Sequence, residues 1–319
     1  MSDTTLDRSI DADVLPVVGP SRRAQRSAPT KARPPRRRPP PLGTSAVVAL
    51  WSSGVVSVLC LWLVLCALAL GTVQYHADQG RLYDTFREQL ANGDAPLGPT
   101  TTGAPVALLR SPRAGLNGVV VVEGTASGQT QRGPGHRRNT VLPGQPGVSL
   151  LFGRGLTYGA SFAGITSLRT GDQITATTGQ GVFTYRVDGV RRTGDPYPLP
   201  LAATGGRLTL ATLEGATWLN GFTSHDVVYV DATLQGKAML PAAVHPAAVP
   251  KSEDLMMGDS GALLLVLMWV QALLVVSCAL GWAHVRWGLW QSWLVGVPVL
   301  FLILWSASTA AAQVLPNLL

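Results

Sequence analysis

Three long stretches of this chain carry no charged side chain, and they constrain its architecture more than any other feature. No Asp, Glu, Lys or Arg occurs between Arg38 and Asp78, and Ala46 to Thr72 is almost wholly apolar. A second run covers Gly261 to Ala283. A third follows Arg286, with Leu289 to Ala312 as its dense part. Each exceeds the ~20 residues that a helix needs to cross hydrocarbon. Three membrane spans are therefore expected, at 45–74, 260–283 and 289–312.

The basic residues predict which way these spans run. Residues 1–44 hold nine Lys/Arg against four Asp, a net of +5 within a chain total of +7. Arg286 lies in the short loop 284–288 between the second and third spans. Cytoplasmic loops collect Lys and Arg, so both segments are expected inside, with residues 75–259 and the short end 313–319 outside. The outer region is nearly neutral, with fifteen basic and fourteen acidic residues. The positive charge thus reports topology, and no nucleic-acid partner is expected. The tail, with its Lys31-Ala32-Arg33-Pro34-Pro35-Arg36-Arg37-Arg38 run, has too few apolar residues to order itself. Its chemistry suits anionic inner-leaflet lipid, at roughly 1 kcal/mol per basic residue near the surface. Ala67-Leu68-Ala69 resembles a signal-peptide cleavage site, but the long apolar run and the long tail before it favour an uncleaved anchor.

Cysteine placement narrows the chemistry. Cys60, Cys66 and Cys278 all lie inside the predicted spans. The outer region has no thiol and can form no disulfide.

Residues 75–105 read as a helical stalk and a linker. Leu82, Phe86 and Leu90 recur at helical spacing, Asn92-Gly93 is a stop, and Gly, Pro and Thr dominate 98–105. From Val106 the period changes to short β-rich runs bounded by Gly, Pro, Asn or Asp. In Gly181–Val190, Phe183, Tyr185 and Val187 alternate with Val182, Thr184 and Arg186, the pattern of a strand with one buried face. Residues 106–235 are expected to form one all-β domain, a sandwich or a small closed barrel. The Pro/Ala-rich stretch 236–259 is expected to be an exposed linker.

Several segments, in order, resemble class D/E sortases of actinobacteria: Gly133-Pro134-Gly135-His136, Leu142-Pro143-Gly144-Gln145-Pro146-Gly147, Thr157-Tyr158-Gly159-Ala160 with Phe162, Gly171-Asp172, Phe183–Val187, and Leu208-Thr209-Leu210. The resemblance implies an eight-stranded β-barrel carrying a Cys nucleophile, a His acid/base and a substrate-holding Arg. This sequence departs at each position. Arg154 stands where the His is expected, Leu213 where the Cys is expected, and Thr223-Ser224-His225-Asp226-Val227 where the Arg is expected. Ser224, His225 and Asp226 cannot replace them as a triad, because neighbours on a strand point to opposite faces. His136 is expected to be a surface loop residue, and His136 with His225 lacks the spacing of a zinc set, so no metal or cofactor is expected.

The altered cleft could still form a pocket, with Tyr158, Thr212 and Glu214 beside Arg154 and an Arg154–Glu214 contact across it. Leu201-Ala202-Ala203-Thr204-Gly205 fits an LAXTG sorting pattern but runs straight into a strand. Leu315-Pro316-Asn317-Leu318-Leu319 fits such a pattern no better. The sequence therefore favours an inactive, membrane-anchored sortase-like module that binds envelope proteins, such as an active sortase, a pilin-like substrate or another membrane protein. The alternative is a divergent sortase that anchors LAXTG or LPXTG proteins to the cell wall. A transport role is disfavoured, since no charged residue lies within a span.

Overall fold

The computed structural model describes residues 44–214, 226–241, 246–287 and 289–319. The basic tail up to residue 43, together with Ser224 and His225, lies outside the described residues.

Helix α1 (Thr44–Leu65) passes through a π-helical turn at Cys66–Leu70 into α2 (Gly71–Asn92). The expected first span and stalk are thus one continuous helix. It ends where the sequence placed a stop. Gly93 adopts φ 76, and its N–H closes the last turn onto the Gln89 and Leu90 carbonyls. A left-handed cap of this kind favours glycine, which has no Cβ to clash. Leu82 and Phe86 pack on Leu108, Val120 and Val122 at the outside of the β domain. Gln79 adds polar register. Its amide nitrogen donates to the Val120 and Arg132 carbonyls, and its oxygen accepts the Val120 N–H.

Eight strands form a closed barrel in the order β1-β2-β3-β4-β7-β8-β6-β5. They are β1 (Pro105–Ser111), β2 (Leu116–Glu123), β3 (Gly135–His136), β4 (Gly147–Phe152), β5 (Gln173–Thr178), β6 (Gly181–Arg192), β7 (Gly206–Leu213) and β8 (Val227–Gln235). The β2–β3 and β4–β7 pairs are parallel, and the other pairs are antiparallel. Leu109, Val121, Leu151, Ile174, Phe183, Tyr185, Val187, Leu208, Leu210 and Val230 fill the interior. The alternation seen in β6 is therefore the alternation between core and surface. Tyr185 also turns its hydroxyl to accept the Gly144 N–H at 2.6 Å. Burial pushes that phenol up to about 12.

Beyond the short α3 (Ser127–Thr130), which lies between β2 and β3, helices α4 (Ala262–Trp287) and α5 (Leu289–Val314) form a hairpin. Helix α4 runs on to Trp287, through the first four residues of the loop expected at 284–288. Among the described residues, three helices are long and apolar enough to cross a membrane. The first of them meets α5, with Trp62 Nε1 donating to Ser308 Oγ at 3.1 Å and the Trp62 and Phe301 rings edge to face at 5.7 Å.

The stretch 236–259 is only partly the exposed linker expected. Its last part docks on the barrel. The Glu253 carbonyl accepts the Thr125 hydroxyl at 2.7 Å, Arg138 Nε donates to the Glu253 carboxylate at 2.9 Å, and Arg137 reaches Asp254 at 2.8 Å. The Glu253 bond holds the Arg138 guanidinium above its ordinary pKa. These partners lie more than a hundred residues apart in sequence, which is why composition alone read the segment as free.

Candidate functional site

Parallel pairing of β4 with β7 brings two sequence-distant strand ends together. Phe152 sits opposite Ala211, and the Gly153 N–H donates to the Ala211 carbonyl at 3.0 Å. Arg154 and Leu213 therefore emerge at neighbouring ends of one outer face. Gly153 is required there, because a Cβ would lie 2.3 Å from the Phe162 ring.

Leu213 is closed off from solvent. It packs with Phe152, Ala211 and Val227, and all four are covered by Leu318 and Leu319 from beyond α5. Leu150, Leu156, Tyr229, Leu255, Met256 and Leu315 border the same cluster. Thr212, the preceding residue on β7, points away from this cluster and is fully buried, with its hydroxyl unpaired.

Arg154 is fully buried, and three hydroxyl residues surround its guanidinium. Nη1 donates to Thr157 Oγ1 at 2.8 Å, Nη2 to Ser127 Oγ at 2.7 Å and to the Ser127 carbonyl at 3.2 Å, and Nε to Thr130 Oγ1 at 3.3 Å. The Tyr158 ring lies 5.1 Å from its Cζ. Burial pushes the guanidinium down to about 10, which still leaves it cationic at neutral pH. Burial also pushes the Tyr158 phenol up. Tyr158, Gly159 and Ala160 all have positive φ (49, 76 and 45), so this loop is held in a strained path. Gly159 approaches α2 so closely that a Cβ would lie 2.2 Å from the Tyr75 ring.

Two expectations are corrected here. Arg154 makes no contact with Glu214. Glu214 instead accepts from Arg192 Nε at 2.6 Å, while Arg154 turns inward to the hydroxyls. Nor is His136 a surface residue. It is fully buried on β3, with Nδ1 2.9 Å from Glu123 Oε2 and Nε2 3.0 Å from the Val141 carbonyl. A carbonyl can only accept, so Nε2 carries a hydrogen. The Nδ1–Oε2 contact likewise holds a proton between the two groups. β2 and β3 pair in parallel with Glu123 beside His136, a register invisible to local pattern.

Farther along the same outer face lies an open cleft of about 540 Å³, lined by Leu150, Arg191, Tyr197, Arg207, Tyr229 and Asp231. Arg191 Nε donates to Asp231 at 2.6 Å, Thr209 donates to the other Asp231 oxygen at 2.6 Å, and the Arg191 Cζ lies 4.2 Å over the Tyr229 ring. Leu201, Ala202 and Gly205 line an adjoining cleft, in the loop that leads into β7.

Residues 109–231 match the family model of the sortase domain. Sortase E from Streptomyces avermitilis is 30% identical over 49% of this chain and 100% of that one, with a TM-score of 0.36. Residues 109–231 are a sortase domain. The sortase D5 transpeptidase of Clostridium perfringens is 22% identical over 50% of this chain and 99% of its own, with a TM-score of 0.42. The SrtA sortase of Actinomyces oris is 25% identical over 50% and 93%, with a TM-score of 0.37. No curated protein matches. The sortase match ends at residue 231, short of α4 and α5.

Sequence reasoning missed the three hydroxyl residues around Arg154 and the seating of Leu315–Leu319 on this sortase domain. One signal was available: three leucines follow the third span where a solvent-exposed end would carry polar residues.

Proposed function

We propose that this chain is a catalytically inactive sortase-like protein, anchored in the membrane, whose barrel serves as an extracytoplasmic interaction module of the cell envelope. The observation that carries this reading is the state of the two strand ends. Acyl transfer needs a thiolate with access to a carbonyl and a group that takes and returns a proton. The barrel sequence has no cysteine, Leu213 is sealed beneath leucines, and every side-chain nitrogen of Arg154 is engaged. An arginine that remains cationic at neutral pH is no proton shuttle.

The outward placement of the barrel follows from the basic residues before α1 and at Arg286. The same charges would hold the N-terminal tail near anionic lipid. Partners of the expected kind are other envelope membrane or wall-linked proteins, an active sortase or its substrate among them. The spans beyond the family match add helix surface for such contacts.

Incubating the purified protein with an LAXTG peptide and an amine acceptor tests the reading directly. No ligated product is expected. Formation of the product would instead establish a divergent transpeptidase. Cross-linking in cells followed by purification in mild detergent is expected to recover an envelope protein, and a clean monomer would sink the interaction role.

A further inference from the structure

The segment that follows α5 enters the strand-end site in the manner of a peptide ligand. Its carbonyls meet two main-chain donors of the loop after β4: the Gly155 N–H reaches Leu318 O at 3.0 Å, and the Thr157 N–H reaches Leu319 O at 2.9 Å. The Thr157 hydroxyl donates to the same Leu319 oxygen at 2.7 Å. Asn317 is fully buried, and its amide nitrogen donates to the Thr125 and Asp254 carbonyls at 2.7 and 2.9 Å. Leu318 and Leu319 occupy the apolar floor of Phe152, Ala211, Leu213 and Val227. Main-chain bonds fix the path and apolar recesses take the side chains, which is how extended peptides are recognised.

Arg154 organises this seat from behind. A hydroxyl has a single hydrogen. That of Thr157 goes to Leu319 O, so its lone pair accepts Arg154 Nη1. Ser127 repeats the arrangement, donating to the Ala312 carbonyl at 3.1 Å while accepting Arg154 Nη2. One guanidinium thus reaches, through two hydroxyls, a carbonyl in the last turn of α5 and one in the segment beyond it. Carbonyls at a helix C-terminus lack intrahelical partners and carry partial negative charge, which suits a buried cation nearby.

The fit is incomplete in two respects. Asn317 Oδ1 is buried with no partner. The segment also covers only one end of the face: Leu150 and Tyr229 border both its leucine cluster and the open cleft of about 540 Å³. A longer peptide could seat at the strand ends and continue into that cleft.

We propose that the strand-end site is a peptide-binding site whose resident occupant is the chain's own Leu315–Leu319, positioned by the Arg154–Thr157 relay. A partner's extended segment of the same chemistry, with Leu, Pro, a carboxamide and then two aliphatic side chains, binds there once the resident segment leaves. This rests on reading the barrel as a binding module.

The test uses the full chain in detergent and a fluorophore-labelled Leu-Pro-Asn-Leu-Leu peptide, read by fluorescence polarisation. The double variant Leu318→Asp, Leu319→Asp is expected to bind the peptide at least tenfold more tightly than the unmodified chain. Adding Thr157→Val to that variant is expected to reverse most of the gain. Amide hydrogen exchange at Gly155 and Thr157 reports occupancy: slow in the unmodified chain, faster in the double variant, and slow again with peptide. Unchanged exchange in the double variant would show that the segment does not hold the site. Faster exchange without peptide binding would show a structural strap. Either result overturns the proposal. If lost protection in β5 and β6 shows that the double variant has unfolded, Asn317→Ala takes its place with the same expected order. Failure of the inactive-module reading is seen separately, as ligation of an LAXTG peptide to an amine by the unmodified chain.

Discussion

The outer face of β4, β7 and β8 has two ends built from the same strands, and they differ in almost every property. At one end Phe152, Ala211, Leu213 and Val227 lie under two leucines, with Arg154 enclosed behind them. At the other, two residues away along each strand, Leu150, Thr209 and Tyr229 border a cleft open to solvent and edged by Arg191, Arg207 and Asp231. The strands do not account for the contrast, since their alternation continues through both ends. The difference lies in what covers them. Residues 315–319 exclude water from the first, whereas the loop before β7 leaves the second wet. Burying one Leu fully is worth ~1.5–3 kcal/mol and the closed end holds several such side chains, while most surface substitutions stay within about 0.5. The closed end should therefore dominate stability, and the open end should tolerate change.

Arg154 offers the largest break in this comparison. Arg154→Ala removes a buried cation that holds two hydroxyl relays and leaves a cavity, so a loss of about 3–5 kcal/mol is expected in denaturant unfolding in detergent. Arg154→His, the residue expected at this place in a sortase, should recover only part of it. An imidazole has two nitrogens and cannot reach Ser127, Thr130 and Thr157 together. Equal stability of the histidine variant would show that the hydroxyl relays are not needed.

Leu213→Ala is expected to cost about 2–4 kcal/mol through lost contacts and the cavity left beneath Leu318 and Leu319. Arg207→Ala at the open end should stay within about 0.5 kcal/mol. Similar losses at the two positions would erase the distinction between the ends.

An intermediate effect is expected at Arg191→Met. Asp231 is largely buried and would keep its Thr209 bond but lose its cationic partner, for a loss of about 1–2 kcal/mol. A loss as large as that at Arg154 would mean that the open end is also a structural keystone.

The smallest perturbation sharpens the comparison kinetically. In a background without Cys60, Cys66 and Cys278, a thiol placed by Leu213→Cys should react with maleimide far more slowly than one placed by Val148→Cys, a position 42% exposed at the open end. Adding Leu318→Asp should narrow that gap. Rapid labelling of the Leu213→Cys thiol in the otherwise unmodified chain would show that the leucine cover opens readily.

Local pattern accounts for much of this molecule. Charge-free runs located three apolar helices, alternation in Phe183, Tyr185 and Val187 identified a buried strand face, and Asn92-Gly93 marked a helix end, because each depends on neighbours within one or two turns or pleats. Motif order pointed to the barrel and to the strand ends where Arg154 and Leu213 stand. The environment of those two residues was not legible. Ser127 and Thr130 reach Arg154 together from one short helical turn between β2 and β3, Glu123 meets His136 only through a parallel register, and Leu318 covers Leu213 from 105 residues away. Such contacts exist only once the barrel closes and α5 delivers its end to the β4–β7 edge. Sequence by itself determined which segments are helix and strand, and which helices are apolar enough to cross a membrane, since apolar burial and backbone sterics act locally. Tertiary structure alone decided that an arginine would be buried, that a pair of acid and base would be hidden, and that a short run of leucines would fill the site.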